Sequence, residues 1–272
     1  MIRTTLVSLI ALSSLTAFAE KRSLQGSDTM AGFMSDAVVA SALEDQLVYQ
    51  GGGSGKGEEA LANGQQGFAP MSRAFKAEAL TKAQGKGINV IEHVVGLDGI
   101  ALFVNGQLPV AKLTLDQVKK IFTCEVTDWS AVGGPSAKIE VYRRDDFSGT
   151  TDTFKNLVGV KDFGACVTVV KETSDIAVKT SEKAYAIGYA GLSGLRPENK
   201  DLALAKDAAS EAFSPTPANI RSFKYPLARK LFVYEASGSV TPSAAERTLL
   251  NNILDRSFAD PILVNHEFLT LD

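Results

Sequence analysis

The chain has 272 residues, 45% of them hydrophobic and 22% charged, with a formal net charge of −3. That composition describes an ordinary globular protein and excludes a disordered one, while the slightly acidic balance argues against nucleic acid as a partner, which would favour a basic face. The first nineteen residues, "MIRTTLVSLIALSSLTAFA", combine one basic residue (Arg3), an apolar run and an Ala-Phe-Ala end, the pattern of a cleaved export signal. Glu20 is then the expected mature start, and a buried N-terminal helix would leave the basic start and the Ala-x-Ala end unexplained. The remaining chain, about 250 residues, suits one large domain or two lobes. No later segment reaches the roughly 20 apolar residues that a membrane helix needs. A periplasmic protein is therefore expected, or an extracellular one, not embedded in a membrane.

Taken in order, the segments alternate between strand and helix patterns. A short strand from Leu24 leads through the turn "GSDTM" into a helix over "AGFMSDAVVASALED". "QLVYQ" reads as a strand that runs into the glycine loop "GGGSGKG", and "GFAPMS" as an apolar segment ending in a polar turn. "GINVIEHVVGLDGIALFVN" is rich in β-branched residues over a length that fits two strands or one long crossing strand. "TLDQVKKIFTCEV" is a helix with Thr114 and Gln117 at capping-box spacing. There follow a strand "KIEVYRR", a turn "DDFSGT", a helix "TDTFKNLVG", a buried strand "AYAIGYAGL", a surface loop "FSPTPANI", a late strand "YPLARKLFVYE" and an amphipathic helix "SAAERTLLNNILDRSF". The fold class is α/β.

Three of the turns share a chemistry. "QGSDTM", "GGGSGK" and "DDFSGTT" each end a strand with Gly and Ser or Thr and open into a helix. Each offers backbone N–H groups, the positive end of a helix dipole and one or two hydroxyls. Ser and Thr are also the usual N-caps, so a single such turn is commonly no more than a cap. Three together, at the strand ends where α/β sheets bind ligands, with Arg143 and Arg144 just ahead of the third, suit a small tetrahedral anion, since a guanidinium matches two oxygens of an oxyanion at once. "GGGSGKG" is not a nucleotide loop, because Gln50 stands where a Walker loop needs its first Gly and Gly57 where it needs Ser or Thr. Lys56 is expected to be solvated. Cys124 and Cys166 lack the paired spacing of a zinc site, and in an exported protein they are expected to form a disulfide. His93 and His266 are isolated, and no cofactor or metal is expected.

"GSDTM", "GGGSGKG", "MSR", "YRRDDFSGTTDTF", "IFTCEVTDWSAVGG" and "AIGYAGL", in this order over most of the chain, resemble the periplasmic phosphate-binding proteins of the high-affinity phosphate ABC transporter. The resemblance implies a type II two-lobed binding protein, with two crossing hinge strands and the ligand between the lobes. One lobe would hold residues 20–98 and 225–272, the other 99–224. It implies inorganic phosphate as ligand, a membrane permease as partner, a monomer and no enzymatic activity. Carried over residue by residue, the ligand groups would be Thr29 and the N–H of Met30, then Ser54, then Arg144, Ser148, Gly149 and Thr150, with Asp146 orienting the arginine. The family places an Asp after the second of these strands to accept the proton of hydrogen phosphate; here Ser72 stands there, beside Arg73. The acceptor is then expected to be Asp28, or the Ser72 hydroxyl. Two other classes fit parts of the pattern: a secreted phosphoester hydrolase, against which stands the lack of a base beside any candidate nucleophile, and a surface-exposed phosphate-binding or adhesion protein on the same fold.

Overall fold

The computed structural model describes residues 21–271 apart from Phe147, Glu172 and residues 193–195; the expected export signal, residues 1–19, lies outside the described residues. β1 (Arg22–Gly26) and β2 (Leu47–Gly52) pair in parallel, with α1 (Ala31–Ala40) between them in sequence. α2 (Ser54–Ala62) opens straight from the glycine loop, followed by β3 (Phe68–Met71) and α3 (Ala77–Gln84). The β-branched stretch is then one strand, β4 (Ile88–Asn105), whose 18 residues reach roughly 60 Å. β5 (Lys112–Thr114), α4 (Leu115–Phe122), β6 (Glu140–Arg143), α5 (Gly149–Val158), β7 (Val167–Val169), α6 (Thr173–Glu182) and β8 (Ala186–Gly191) follow. The chain continues through β9 (Asn199–Asp201), β10 (Ala203–Ala205) and α7 (Pro217–Arg221), and returns in β11 (Ala228–Gly238), α8 (Ala244–Leu254) and α9 (Arg256–Asn265).

The main sheet runs β3-β11-β4-β8-β6-β7, with β9 also on β4. β4 is its axis. Up to Gly99 it pairs with β11, and from Ile100 it pairs with β8. The two largest of the hydrophobic clusters lie on either side of that change of partner. Leu24, Phe33, Met34, Leu47, Phe68, Leu231 and Leu249 fill one, and Leu102, Phe122, Trp129, Phe154, Ile187 and Tyr189 fill the other. In the second, the rings of Phe154 and Tyr189 stack at 3.9 Å and the Trp129 indole donates to Tyr185 O at 3.0 Å, so the large aromatic surface is buried without an unsatisfied N–H.

Local signals account for most of these boundaries. The capping box of α4 is formed in both directions: Gln117 N–H donates to Thr114 Oγ1 at 3.1 Å, and Thr114 N–H donates to Gln117 Oε1 at 2.9 Å. Three segments depart from the expected pattern. α1 stops at Ala40, five residues short. The C-terminal helix is two helices, because the Asp255 carboxylate accepts from Ser257 N–H at 2.9 Å and starts α9 anew. The segment "FSPTPANI" is not wholly loop: Pro217 sits at the first turn of α7, where a missing N–H costs nothing, and Thr216 caps it.

The disulfide is formed. Cys124 and Cys166 tie the end of α4 to the start of β7 across 42 residues. A thiol assay on denatured, unreduced protein should find no free thiol, and replacing both cysteines with serine should lower stability by about 3 kcal/mol, the loss of a constraint on the unfolded chain. Two reactive thiols would reject the bridge. A second prediction concerns Glu235 on β11. Burial acts to raise its pKa, but hydrogen bonds and charge from Arg247 (2.6 Å) and His93 (2.9 Å) outweigh it and hold the carboxyl below its ordinary value. Because the folded pKa is depressed, the stabilisation is fully present above the ordinary glutamate range, near about 4.3, and is lost as pH falls through the lower folded value. Urea denaturation of Glu235→Gln across acid pH should therefore show a shallower decline than wild type; equal slopes would show that this pair contributes nothing to acid stability.

Candidate functional site

The three glycine-hydroxyl turns meet. In the first, Ser27 N–H donates to Pro70 O at 2.9 Å and its hydroxyl donates to Ser72 Oγ at 2.9 Å, which pins the turn to the end of β3. Tyr49, half-buried, donates from its OH to Ser27 O at 2.8 Å, and desolvation of that hydroxyl, with the charge of Asp28, pushes its pKa up. The Met30 N–H donates to Ser27 O at 3.1 Å, so that group is engaged within its own turn.

The second turn is built on three consecutive left-handed residues, Gly51, Gly52 and Gly53, with φ of +65°, +93° and +96°. Only glycine adopts such a run without strain. It delivers Ser54, fully buried, as the first residue of α2, where its Oγ accepts from Ser72 N–H at 3.1 Å and lies 3.4 Å from Ser72 Oγ. In the third turn Ser148 is the N-cap of α5 and its Oγ accepts from Thr151 N–H at 3.3 Å. Gly149 comes next, and a Cβ there would lie 2.1 Å from Ser54 Oγ and 2.6 Å from Ser72 Oγ. The start of α5 is therefore in contact with the second turn. Thr150 Oγ1 reaches the first, 2.7 Å from Thr29 Oγ1 although 121 residues separate them.

Three guanidinium groups are buried here, those of Arg144, Arg229 and Arg73. Arg144, 4% exposed, donates from Nη2 to Asp28 Oδ2 at 2.8 Å, and Asp28 Oδ1 accepts from Gly52 N–H at 2.7 Å. The orienting carboxylate of Arg144 is thus Asp28 on the first turn. Asp146, expected in that role, is 68% exposed and pairs with Arg143 at 3.0 Å instead. The reason is local: Asp145 accepts from Ser148 N–H at 3.2 Å and bends the chain so that its neighbour projects outward. Arg143 points away from the turns, as strand alternation requires, and covers the Phe163 ring at 4.4 Å. Lys56 is exposed and, with Gln50, Gly52, Asp28, Arg144, Asp145 and Lys171, lines a cavity of 270 Å³ beside the Asp28–Arg144 pair.

The second guanidinium was not anticipated. Arg229 on β11 lies opposite Asp98 on β4 and donates to Asp98 Oδ2 from Nε (2.9 Å) and Nη2 (2.6 Å). Its Nη1 donates to Thr150 Oγ1 at 3.0 Å and its Nη2 to Thr29 Oγ1 at 3.3 Å. A signal for it exists in the sequence: Asp98 is the one charge in "VVGLDGIALFV", and a carboxylate inside a central strand needs a partner. Arg73, next to Ser72, forms a third buried network, with both oxygens of Glu58 at 2.8 and 2.9 Å and with Asp152 of α5 at 2.8 Å. Burial alone would lower its pKa, but those carboxylates raise it.

The arrangement consists of hydroxyls, helix-start N–H groups and guanidinium edges directed to one place, which is the donor set for an oxyanion. With a two-lobed α/β fold, two long antiparallel strands at its waist and polar groups converging between helix starts, the chain has the architecture of the periplasmic binding proteins. Its sequence matches the PBP superfamily domain over residues 17–254. The phosphate-binding protein PstS of Pseudomonas aeruginosa is 30% identical over 230 residues, 77% of this chain and 70% of that protein. A chain from Clostridium perfringens, described as a phosphate ABC transporter substrate-binding protein with bound phosphate, superposes with a TM-score of 0.79 at 23% identity, covering 93% of this chain and 100% of that one. An ABC-type phosphate transport receptor from Vibrio cholerae gives 0.73 at 24% identity, covering 92% and 100%. The chain belongs to the PBP superfamily, in the family of PstS-type phosphate-binding proteins.

Asp98 carries the electrostatic cost of Arg229. Asp98→Ala leaves a buried guanidinium with hydroxyl partners only, so chemical denaturation should show a loss of about 3–5 kcal/mol. A loss under about 1 kcal/mol, the scale of an exposed pair, would mean that the pair is solvated in solution.

Proposed function

We propose that this protein is an exported, non-enzymatic receptor that captures inorganic phosphate between its two lobes and hands it to the membrane permease of an ABC transporter. The observation that carries this reading is the convergence of Thr29, Ser54, Ser72 and Thr150 hydroxyls on the start of α5, with Arg144 buried alongside. The names of the relatives point the same way, to phosphate and to ABC transport. The ligand groups are Thr29, Ser54, Ser72, Arg144 and Thr150 with the first-turn N–H groups of α5 at Gly149, while Ser148 caps that helix and Asp28 orients Arg144. Met30 serves through the shape of its turn.

The change of β4 partner between Gly99 and Ile100 supports a division into residues 20–98 with 225–272 and residues 99–224. Holding rather than hydrolysis is favoured by what surrounds the hydroxyls. They contact one another, backbone N–H groups and a guanidinium, none of which is a base, while His93 and His266 are engaged with Glu235 and Asp36. A cleaved leader at residues 1–19 would place the receptor outside the cytoplasm, in keeping with a disulfide.

Phosphate at about 100 times its Kd should stabilise the folded protein by about 2.7 kcal/mol, read as a rise in Tm. Arg144→Ala should abolish that rise and weaken calorimetric binding by about 3 kcal/mol or more, because it leaves the anion's charge without its partner. Arg143→Ala should bind as wild type. Equal losses in the two variants, or no response of the wild type to phosphate, would sink the assignment.

A further inference from the structure

The guanidinium of Arg229 is 5% exposed and lies where the first and third turns touch, and the ligand set above does not use it. Asp98 fixes its plane from one side, accepting from Nε and Nη2 on Oδ2 while Oδ1 accepts from Gly99 N–H at 2.8 Å. The outer edge of the fork, Nη1 and Nη2, is left directed at Thr150 Oγ1 and Thr29 Oγ1. That edge is the one that matches two oxygens of a carboxylate, phosphate or sulfate. A positive charge buried this deeply, facing two neutral hydroxyls that the phosphate reading assigns as ligands, is placed to meet the anion itself.

The carboxylates at the site are placed differently. Asp28 Oδ1 accepts from Gly52 N–H and Oδ2 from Arg144, Asp98 Oδ1 accepts from Gly99 N–H and Oδ2 twice from Arg229, and Asp145 Oδ1 accepts from Ser148 N–H, so these carboxylates are turned toward backbone and guanidinium donors. A carboxylate aimed at the ligand would welcome the proton of hydrogen phosphate and repel sulfate, which has only lone pairs to offer. At the junction of the turns the facing groups are hydroxyls instead. A hydroxyl donates or accepts as the ligand requires, so Thr29, Thr150 and Ser72 can serve either anion.

We propose that Arg229 is a second guanidinium ligand of the oxyanion, and that the site takes a tetrahedral dianion, phosphate or sulfate, with little regard to whether it carries a proton. This rests on the phosphate reading of the site given above.

Calorimetric titration of the full chain with phosphate and with sulfate, at about pH 6 and about pH 8, tests it, because sulfate is a dianion throughout while phosphate becomes one as pH rises. Sulfate should bind within about tenfold of phosphate at the higher pH, with phosphate affinity rising with pH and sulfate affinity flat. Arg229→Gln should weaken both anions by about 100-fold. The double variant Asp98→Asn with Arg229→Gln removes both charges together and keeps the binding test open if the single variant fails to fold; it should show the same loss. A folded Arg229 variant that keeps both affinities within about threefold overturns the role of Arg229 while leaving the phosphate reading intact. A preference for phosphate beyond about 1,000-fold overturns the dianion selectivity. Wild type that binds neither anion overturns the phosphate reading and this inference with it.

Discussion

The ion pair between Asp98 and Arg229 joins the two long strands at the point where β4 is about to exchange β11 for β8. Neither group would be tolerated there alone, since an isolated buried charge costs several kcal/mol. Paired across neighbouring strands, and with the remaining carboxylate oxygen bonded to Gly99 N–H, they become a rigid element. Thr29, from the first turn, and Thr150, from α5, both take their place from the guanidinium held in this way. The pair therefore connects the waist of the sheet to two turns that are far apart in sequence.

Each buried guanidinium at the site has a carboxylate behind it: Arg144 has Asp28, Arg229 has Asp98, and Arg73 has Glu58 with Asp152. This reconciles the proposed anion site with an acidic chain. Bulk positive charge is not required, because aimed dipoles and neutralised pairs act at short range in a region of low dielectric, where distant surface charges are screened. The three turns contribute N–H groups and hydroxyls without adding net charge. Arg73 and Lys76 also reach Asp152 on α5, so the contact between α5 and the segment after β3 is polar.

The framework behind the turns is held by groups with several duties. Glu246, fully buried, closes the capping box of α8 by accepting from Ser243 N–H, accepts from Gly67 N–H just ahead of β3, and pairs with Arg22 of β1. One side chain thereby sets the distance between the C-terminal helix and the two strands that carry the first turn and Ser72. On the other side, Thr151, next to Thr150, bonds Tyr189 OH at 2.9 Å, and that ring stacks on Phe154. The position of α5 is thus tied to an aromatic core.

The sequence by itself determined what depends on neighbours along the chain. The alternation of strands and helices, the Thr114 cap, the glycine run before Ser54 and the three helix-starting turns were all legible, because propensity, capping and turn chemistry act over a few residues. So was the pairing of two cysteines, since no other partner was available. Less of the C-terminal region could be read: the break at Asp255 is a cap set inside an otherwise continuous amphipathic pattern, and the short helix after Thr216 has too few residues for periodicity to show. Only the tertiary structure decided which charges meet. Asp146 is two residues from Arg144 and looked like its partner, yet Asp28, 116 positions away, holds it. Arg229 passed unnoticed because its partner Asp98 stands on another strand, and nothing in the spacing of either residue encodes which strands cross or in what register. Partner choice at a buried site follows from how the sheet is assembled, and that is a property of the whole chain.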